Sequence, residues 1–89
     1  MIIKIGKASD NDFVVNDPHV SRYHTKLVRE EGECWLLEDL GSTNGTFVNG
    51  VQIVKKRITP SDTIKLGNDY VLNISEVLKS NNDYTEEFA

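Results

Sequence analysis

The sequence predicts an all-β domain, either a β-sandwich or a small barrel, from three observations. Short apolar runs rich in β-branched and aromatic residues recur about every ten residues. Gly, Asn, Asp or Pro bounds nearly every run. No segment keeps the helical period over three turns. Many short strands with evenly spaced turns are the mark of those two architectures.

The runs follow in order. Ile2-Ile3-Lys4-Ile5 stops at Gly6, and Phe13-Val14-Val15 stops at Asn16-Asp17-Pro18. His24 to Arg29 and Glu33 to Glu38 flank Glu30-Glu31-Gly32, which reads as a hairpin turn. Thr46-Phe47-Val48 and Val51-Gln52-Ile53 are joined by Asn49-Gly50, a dipeptide suited to the two positive φ values of a type I′ turn. Thr63 to Leu66 and Tyr70 to Ile74 flank Gly67-Asn68-Asp69, and a short helical turn is expected near Glu76-Val77-Leu78. Residues 1–79 form the expected domain. Residues 80–89 are polar and acidic, with only Tyr84 and Phe88 to bury, and read as a flexible tail or the start of a linker.

Composition sets the outer limits on function. The chain has 89 residues, 38% hydrophobic and 27% charged, which suits one core and excludes an enzyme with separate cofactor and substrate domains. Ten Lys and Arg stand against 14 Asp and Glu, a net charge of -4. Three of those acids, Asp83, Glu86 and Glu87, lie in the tail, so residues 1–79 carry 10 bases against 11 acids. Neither balance suits a general nucleic-acid binder, which needs a basic face. Lys55-Lys56-Arg57 is a short basic run that reads as a solvated loop, without the interleaved aromatics that base stacking needs.

Cys34 is the single cysteine, so no internal disulfide forms; beside Trp35 it reads as a buried strand residue. The apolar start at Met1 is too short for a signal peptide and no run approaches membrane-spanning length, which leads to a cytoplasmic expectation without a membrane partner. No cofactor motif is present. The spacing of His19, His24 and Cys34 matches no metal-ligand pattern.

Three loops are more specific than a turn requires: Gly6-Lys7, Val20-Ser21-Arg22-Tyr23-His24, and Leu40-Gly41-Ser42-Thr43-Asn44-Gly45 running on to Asn49-Gly50. Their order and separation resemble the forkhead-associated (FHA) domain, whose pattern is Gly-Arg, then Ser-x-x-His, then Asn-Gly-x-x-x-Asn-Gly. The resemblance covers roughly residues 2–75 and extends to Asp12-Phe13-Val14-Val15 and Leu66-Gly67. It implies a sandwich of about eleven short strands that presents loops at one end to a phosphothreonine peptide.

The chemistry of that ligand gives each residue a role by resemblance. Phosphothreonine carries about -1.5 to -2 charges and three strong acceptor oxygens. Ser21 and Thr43 supply hydroxyl donors, and Arg22 and Lys7 supply cations. The Asn44 amide, donor and acceptor at once, suits the extended backbone of the bound peptide. Gly6, His24, Gly45, Asn49 and Gly50 support the binding loops, with His24 as their brace and Asn49-Gly50 as the hairpin turn.

Lys7 departs from the family pattern, which has arginine there. A lysine is a strongly hydrated point charge where arginine forks onto two oxygens, so weaker phosphate binding is expected. An alternative is a phospho-independent interaction module whose phosphate site has weakened. A hydrolytic set of Ser21, His24 and Asp39 is a third arrangement, but the sequence has no strained Gly-x-Ser-x-Gly elbow and too little chain for a cleft, so no enzyme is expected. Thr85, set among acids, suggests a segment that docks in this or a neighbouring pocket once phosphorylated.

Overall fold

Alternation within the strands decides which side chains the core receives. In the computed structural model, which describes residues 1–30 and 34–80, nine strands form two sheets around one core. The strands are β1 (Ile2–Gly6), β2 (Phe13–Val14), β3 (Thr25–Arg29), β4 (Trp35–Asp39), β5 (Thr46–Val48), β6 (Val51–Ile53), β7 (Lys55–Ile58), β8 (Ile64–Leu66) and β9 (Tyr70–Leu72). A helix, α1 (Ile74–Ser80), follows β9. One sheet runs β2-β1-β3-β4-β7 and the other β6-β5-β8-β9.

Ile3 and Ile5 of β1 point inward between exposed Ile2 and Lys4, and Leu27 and Leu37 continue that inner face through the register Ile3↔Leu27↔Leu37. Val48, Ile64, Leu66 and Leu72 supply the opposing face. Ile74, Val77 and Leu78 of α1 join the same cluster, about one helical turn apart on one face. The buried Thr25 and Thr46 hydroxyls are satisfied, donating to the Glu38 carbonyl at 2.7 Å and to Asp39 Oδ1 at 2.7 Å.

The parallel pairing of β2 with β1 is short, covering Ile5↔Phe13 and Gly6↔Val14. Residues 7–12 therefore double back at the end of β1 as a tight loop. Asp12 Oδ2 accepts the Lys4 N–H at 2.9 Å where the ladder has no strand partner.

The sandwich is as expected, and four details differ. The described residues hold nine strands rather than about eleven: residues 15–24 stay irregular, and the chain after β9 turns helical. Asn73, expected in a strand, is the helix cap; its Oδ1 accepts the Glu76 N–H at 3.0 Å. Lys55-Lys56-Arg57 is not a loop but edge strand β7, paired to β4 as Leu37↔Lys56 and Trp35↔Ile58. A lysine opposite buried Leu37 hides the alternation, and such charges are how edge strands avoid pairing with other chains. Cys34 is exposed rather than buried, because inward Trp35 begins β4 and its neighbour falls outside that strand.

The hairpin turn at Glu30-Glu31-Gly32 lies partly, and Thr85 wholly, outside the described residues, as does all of the acidic tail beyond Ser80. Among the described residues, no helix is long and apolar enough to cross a membrane, and no cluster of three or more His, Cys, Asp or Glu is arranged to hold a metal ion.

Leu37, fully buried on the inner face of the larger sheet, tests the shared core. Leu37→Ala should destabilise the domain by about 2–5 kcal/mol, read as a lower urea midpoint at unchanged m-value.

Candidate functional site

The loops at one end of the sandwich are held by backbone bonds that the sequence motifs make available. Gly6 ends β1 where a Cβ would lie 2.2 Å from the Arg22 carbonyl oxygen, so only glycine admits that approach. The approach lets the Lys7 N–H bond the Ser21 carbonyl at 3.0 Å and the Ala8 N–H bond the Arg22 carbonyl at 3.1 Å. Asn11, buried in the same loop, donates to the Ala8 carbonyl at 2.8 Å and to the Arg22 carbonyl at 2.7 Å. Residues 17–20 form a turn in which Asp17 Oδ1 accepts the His19 N–H at 2.8 Å and the Asp17 carbonyl accepts the Val20 N–H at 3.0 Å.

His24 is fully buried and sits between these loops. Its Nδ1 accepts the Ser21 backbone N–H at 3.0 Å, which leaves Nε2 to donate to the Gly45 carbonyl at 2.8 Å. One neutral tautomer satisfies both bonds. Its own backbone N–H bonds the Ile5 carbonyl at 3.0 Å, and its carbonyl accepts the Leu40 N–H at 2.9 Å.

Asp39 builds the third loop. Oδ1 accepts from the Ser42 hydroxyl at 2.6 Å as well as from Thr46, and Oδ2 accepts the Gly41 and Ser42 N–H groups, each at 3.0 Å. Ser42 Oγ in turn accepts the Gly45 N–H at 2.9 Å. Burial pushes the Asp39 carboxyl up, but the donors from Ser42, Thr46 and Gly41 outweigh it and hold the group below the usual carboxylate range.

These supports create a concave site of about 420 Å³ at the loop end. Lys7, Ser21, Arg22, Thr43 and Asn44, all five residues read as ligand contacts, line it together. Pro18, His19 and Val20 complete the wall, a contribution the sequence reading missed. Ser21 Oγ accepts the Thr43 N–H at 3.0 Å, so the hydroxyl keeps its own proton to donate. Asn44 Nδ2 spends one hydrogen on the His19 carbonyl at 3.0 Å, leaving its Oδ1 and second hydrogen for a ligand. Lys7 and Arg22 are exposed, and neither has an acidic partner within ion-pair distance among the described residues. Two cations and several neutral donors thus converge on one site.

Two arrangements considered from the sequence, one expected and one already disfavoured, are replaced by others. Asn49 and Gly50 do form the positive-φ turn, at 51° and 86°, but at the far end of β5 from the binding loops. Asn49 there braces residues 59–63, bonding Asp62 Oδ1 at 3.0 Å and the Thr63 N–H at 2.9 Å. The hydrolytic set does not form either, since His24 Nδ1 is taken by the Ser21 backbone rather than its hydroxyl and Asp39 is saturated by its own loop. Beside the site, the Tyr23 hydroxyl bonds both Asp10 carboxylate oxygens at 2.9 Å; that bond, then some burial and the Asp10 charge, hold its pKa above the usual tyrosine range.

The lowered Asp39 pKa fixes a pH dependence. The folded state binds this proton more weakly than the unfolded chain, so the stabilisation is complete above the ordinary carboxylate range and is lost as pH falls through the lowered value. Asp39→Asn should cost about 1–2 kcal/mol near neutral pH, and its deficit relative to the unsubstituted chain should shrink below about pH 4, measured by urea unfolding across pH.

The FHA domain family model matches residues 3–67. FhaA of Mycobacterium tuberculosis is 38% identical over 68 residues, covering 76% of this chain and 13% of FhaA. FhaB of the same organism is 35% identical over 66 residues, covering 73% of this chain and 42% of FhaB. The chain therefore spans less than half the length of either relative. An FHA domain solved for its phosphothreonine-dependent interactions superposes at a TM-score of 0.71 and 37% identity, over 80% of this chain and 73% of that one. Mycobacterium tuberculosis EmbR, solved with a low-affinity phosphopeptide, superposes at 0.67 and 32% identity, over 73% of this chain and 17% of that one. The two-sheet sandwich, the His24-braced loops and a family match across residues 3–67 agree: the chain belongs to the FHA domain family.

Proposed function

We propose that this chain is a non-catalytic module that binds phosphothreonine peptides and so mediates phosphorylation-dependent protein–protein interaction in signalling. The observation that carries this reading is the convergence of Lys7, Ser21, Arg22, Thr43 and Asn44 on one open site. Relatives of similar fold bind phosphopeptides, as EmbR does. In the proposed complex Arg22 and Lys7 neutralise the phosphate, and the Ser21 and Thr43 hydroxyls donate to its oxygens. Asn44 bonds the peptide main chain beside the phosphoresidue. Residues 1–79 form the binding unit, working in the cytoplasm, and the acidic residues that follow form a tail or linker; Thr85 in that tail is a candidate for phosphorylation-dependent docking.

The phospho-independent alternative is less well supported, because a site released from phosphate has no reason to keep two unpaired cations beside oriented hydroxyls. Nucleic acid is disfavoured by the body's near-zero charge and by Arg57, which is engaged with Glu30 at 3.0 Å.

A phosphothreonine peptide library screened beside unphosphorylated controls should give binders that require the phosphate and weaken with phosphoserine. Equal affinity for phosphorylated and unphosphorylated forms would reject the reading. Ser21→Ala and Asn44→Ala should each weaken binding by about tenfold or more, measured by calorimetry. Lys7→Arg should tighten it by up to about tenfold, because a forked guanidinium reaches two oxygens.

A further inference from the structure

Asn11 is the residue whose chemistry the fold and the ligand contacts leave unexplained. It is 8% exposed, and its Oδ1 is the one buried side-chain N or O atom without a hydrogen-bond partner among the described residues. Both of its amide hydrogens are used: one goes to the carbonyl of Ala8, directly after Lys7, and the other to the carbonyl of Arg22. The Arg22 carbonyl also accepts the Ala8 N–H at 3.1 Å, so both of its lone pairs are filled from the Lys7 loop.

We propose that Asn11 is a positioning residue for phosphate recognition, its amide locking together the two loop segments from which Lys7 and Arg22 project. The inference rests on the phosphothreonine reading above. From 11 residues away in sequence, the amide holds the carbonyl of one cationic residue, and it also holds the carbonyl directly after the other. Leucine, of similar shape, removes the orphaned oxygen but abandons two carbonyls. Aspartate replaces the donors with acceptors aimed at those carbonyls. Only a side chain with two hydrogens on one nitrogen closes the clamp, and the unpaired Oδ1 accompanies that choice.

The test is a mutant cycle using a phosphothreonine peptide from the screen and its unphosphorylated twin. Asn11→Leu, checked for folding by near-ultraviolet circular dichroism, should bind the phosphopeptide about tenfold more weakly and leave the unphosphorylated twin unchanged. In a Lys7→Ala/Arg22→Ala background the same substitution should change affinity by less than about twofold, because its effect passes through those cations. Unchanged affinity in the single variant, or the same tenfold loss in both backgrounds, would overturn the proposal, the second result showing a general structural role. If Asn11→Leu does not fold, Asn11→Ser, which keeps one donor, is read in the same cycle against the same outcomes. A parent chain that binds both peptides equally removes the phosphothreonine reading and this proposal together. A parent chain that discriminates, beside a variant that matches it, removes only the proposal.

Discussion

The site depends on one buried imidazole. His24 takes the Ser21 N–H on one nitrogen and gives the other nitrogen's proton to the Gly45 carbonyl, so a single ring fixes the distance between the loop that carries Ser21 and Arg22 and the loop that carries Thr43 and Asn44. Neither loop has a strand ladder to hold it at that point. A protonated ring would offer two donors and lose the Ser21 bond, and an apolar ring of the same size would lose both. Because the ring is fully buried, water cannot replace what is lost.

Around that brace the loops are tied to each other rather than to the ligand. Asp39 gathers its own loop through four donors, and that loop then reaches across: the Thr43 N–H bonds Ser21 Oγ and the Asn44 amide bonds the His19 carbonyl. The groups that line the site are therefore oriented by the protein itself, which would reduce the ordering cost of binding a peptide there. Ser21 and Asn44 each serve both purposes, spending one hydrogen-bonding group on the neighbouring loop and keeping another for the site.

What the sequence revealed follows the range of the interactions involved. The Asn49-Gly50 turn was legible because its chemistry is local, two positive φ values in adjacent residues. The five candidate site residues were legible as an ordered set of loop motifs, and the structure brings all five of them to one concave site. Edge strand β7 was not, since its three charges conceal the alternation that pairing with β4 imposes. Cys34 was misjudged because one residue of register decides burial at a strand end. Asn11 gave no local signal, for its role exists only once residue 22 is folded against residue 8. Asp39 drew notice as a carboxylate, and only its four bonds show that it organises a loop.

The same division explains how lysine is accommodated at position 7. What the fold needs from this position is backbone: the Lys7 N–H bonds the Ser21 carbonyl, and preceding Gly6 lets the chain come close enough to do so. The exposed Lys7 side chain lines the site and takes no part in bracing the loops among the described contacts. The lysine at position 7 therefore leaves the architecture of the site intact and, on the proposed phosphothreonine reading, would alter only how the phosphate is held, by a point charge instead of a fork. Arg22, on the adjoining segment, retains the planar guanidinium that can engage two oxygens at once. On that reading the electrostatic demand of the phosphate would be shared between two loops, and the loss of geometry at one would be bounded by its presence at the other.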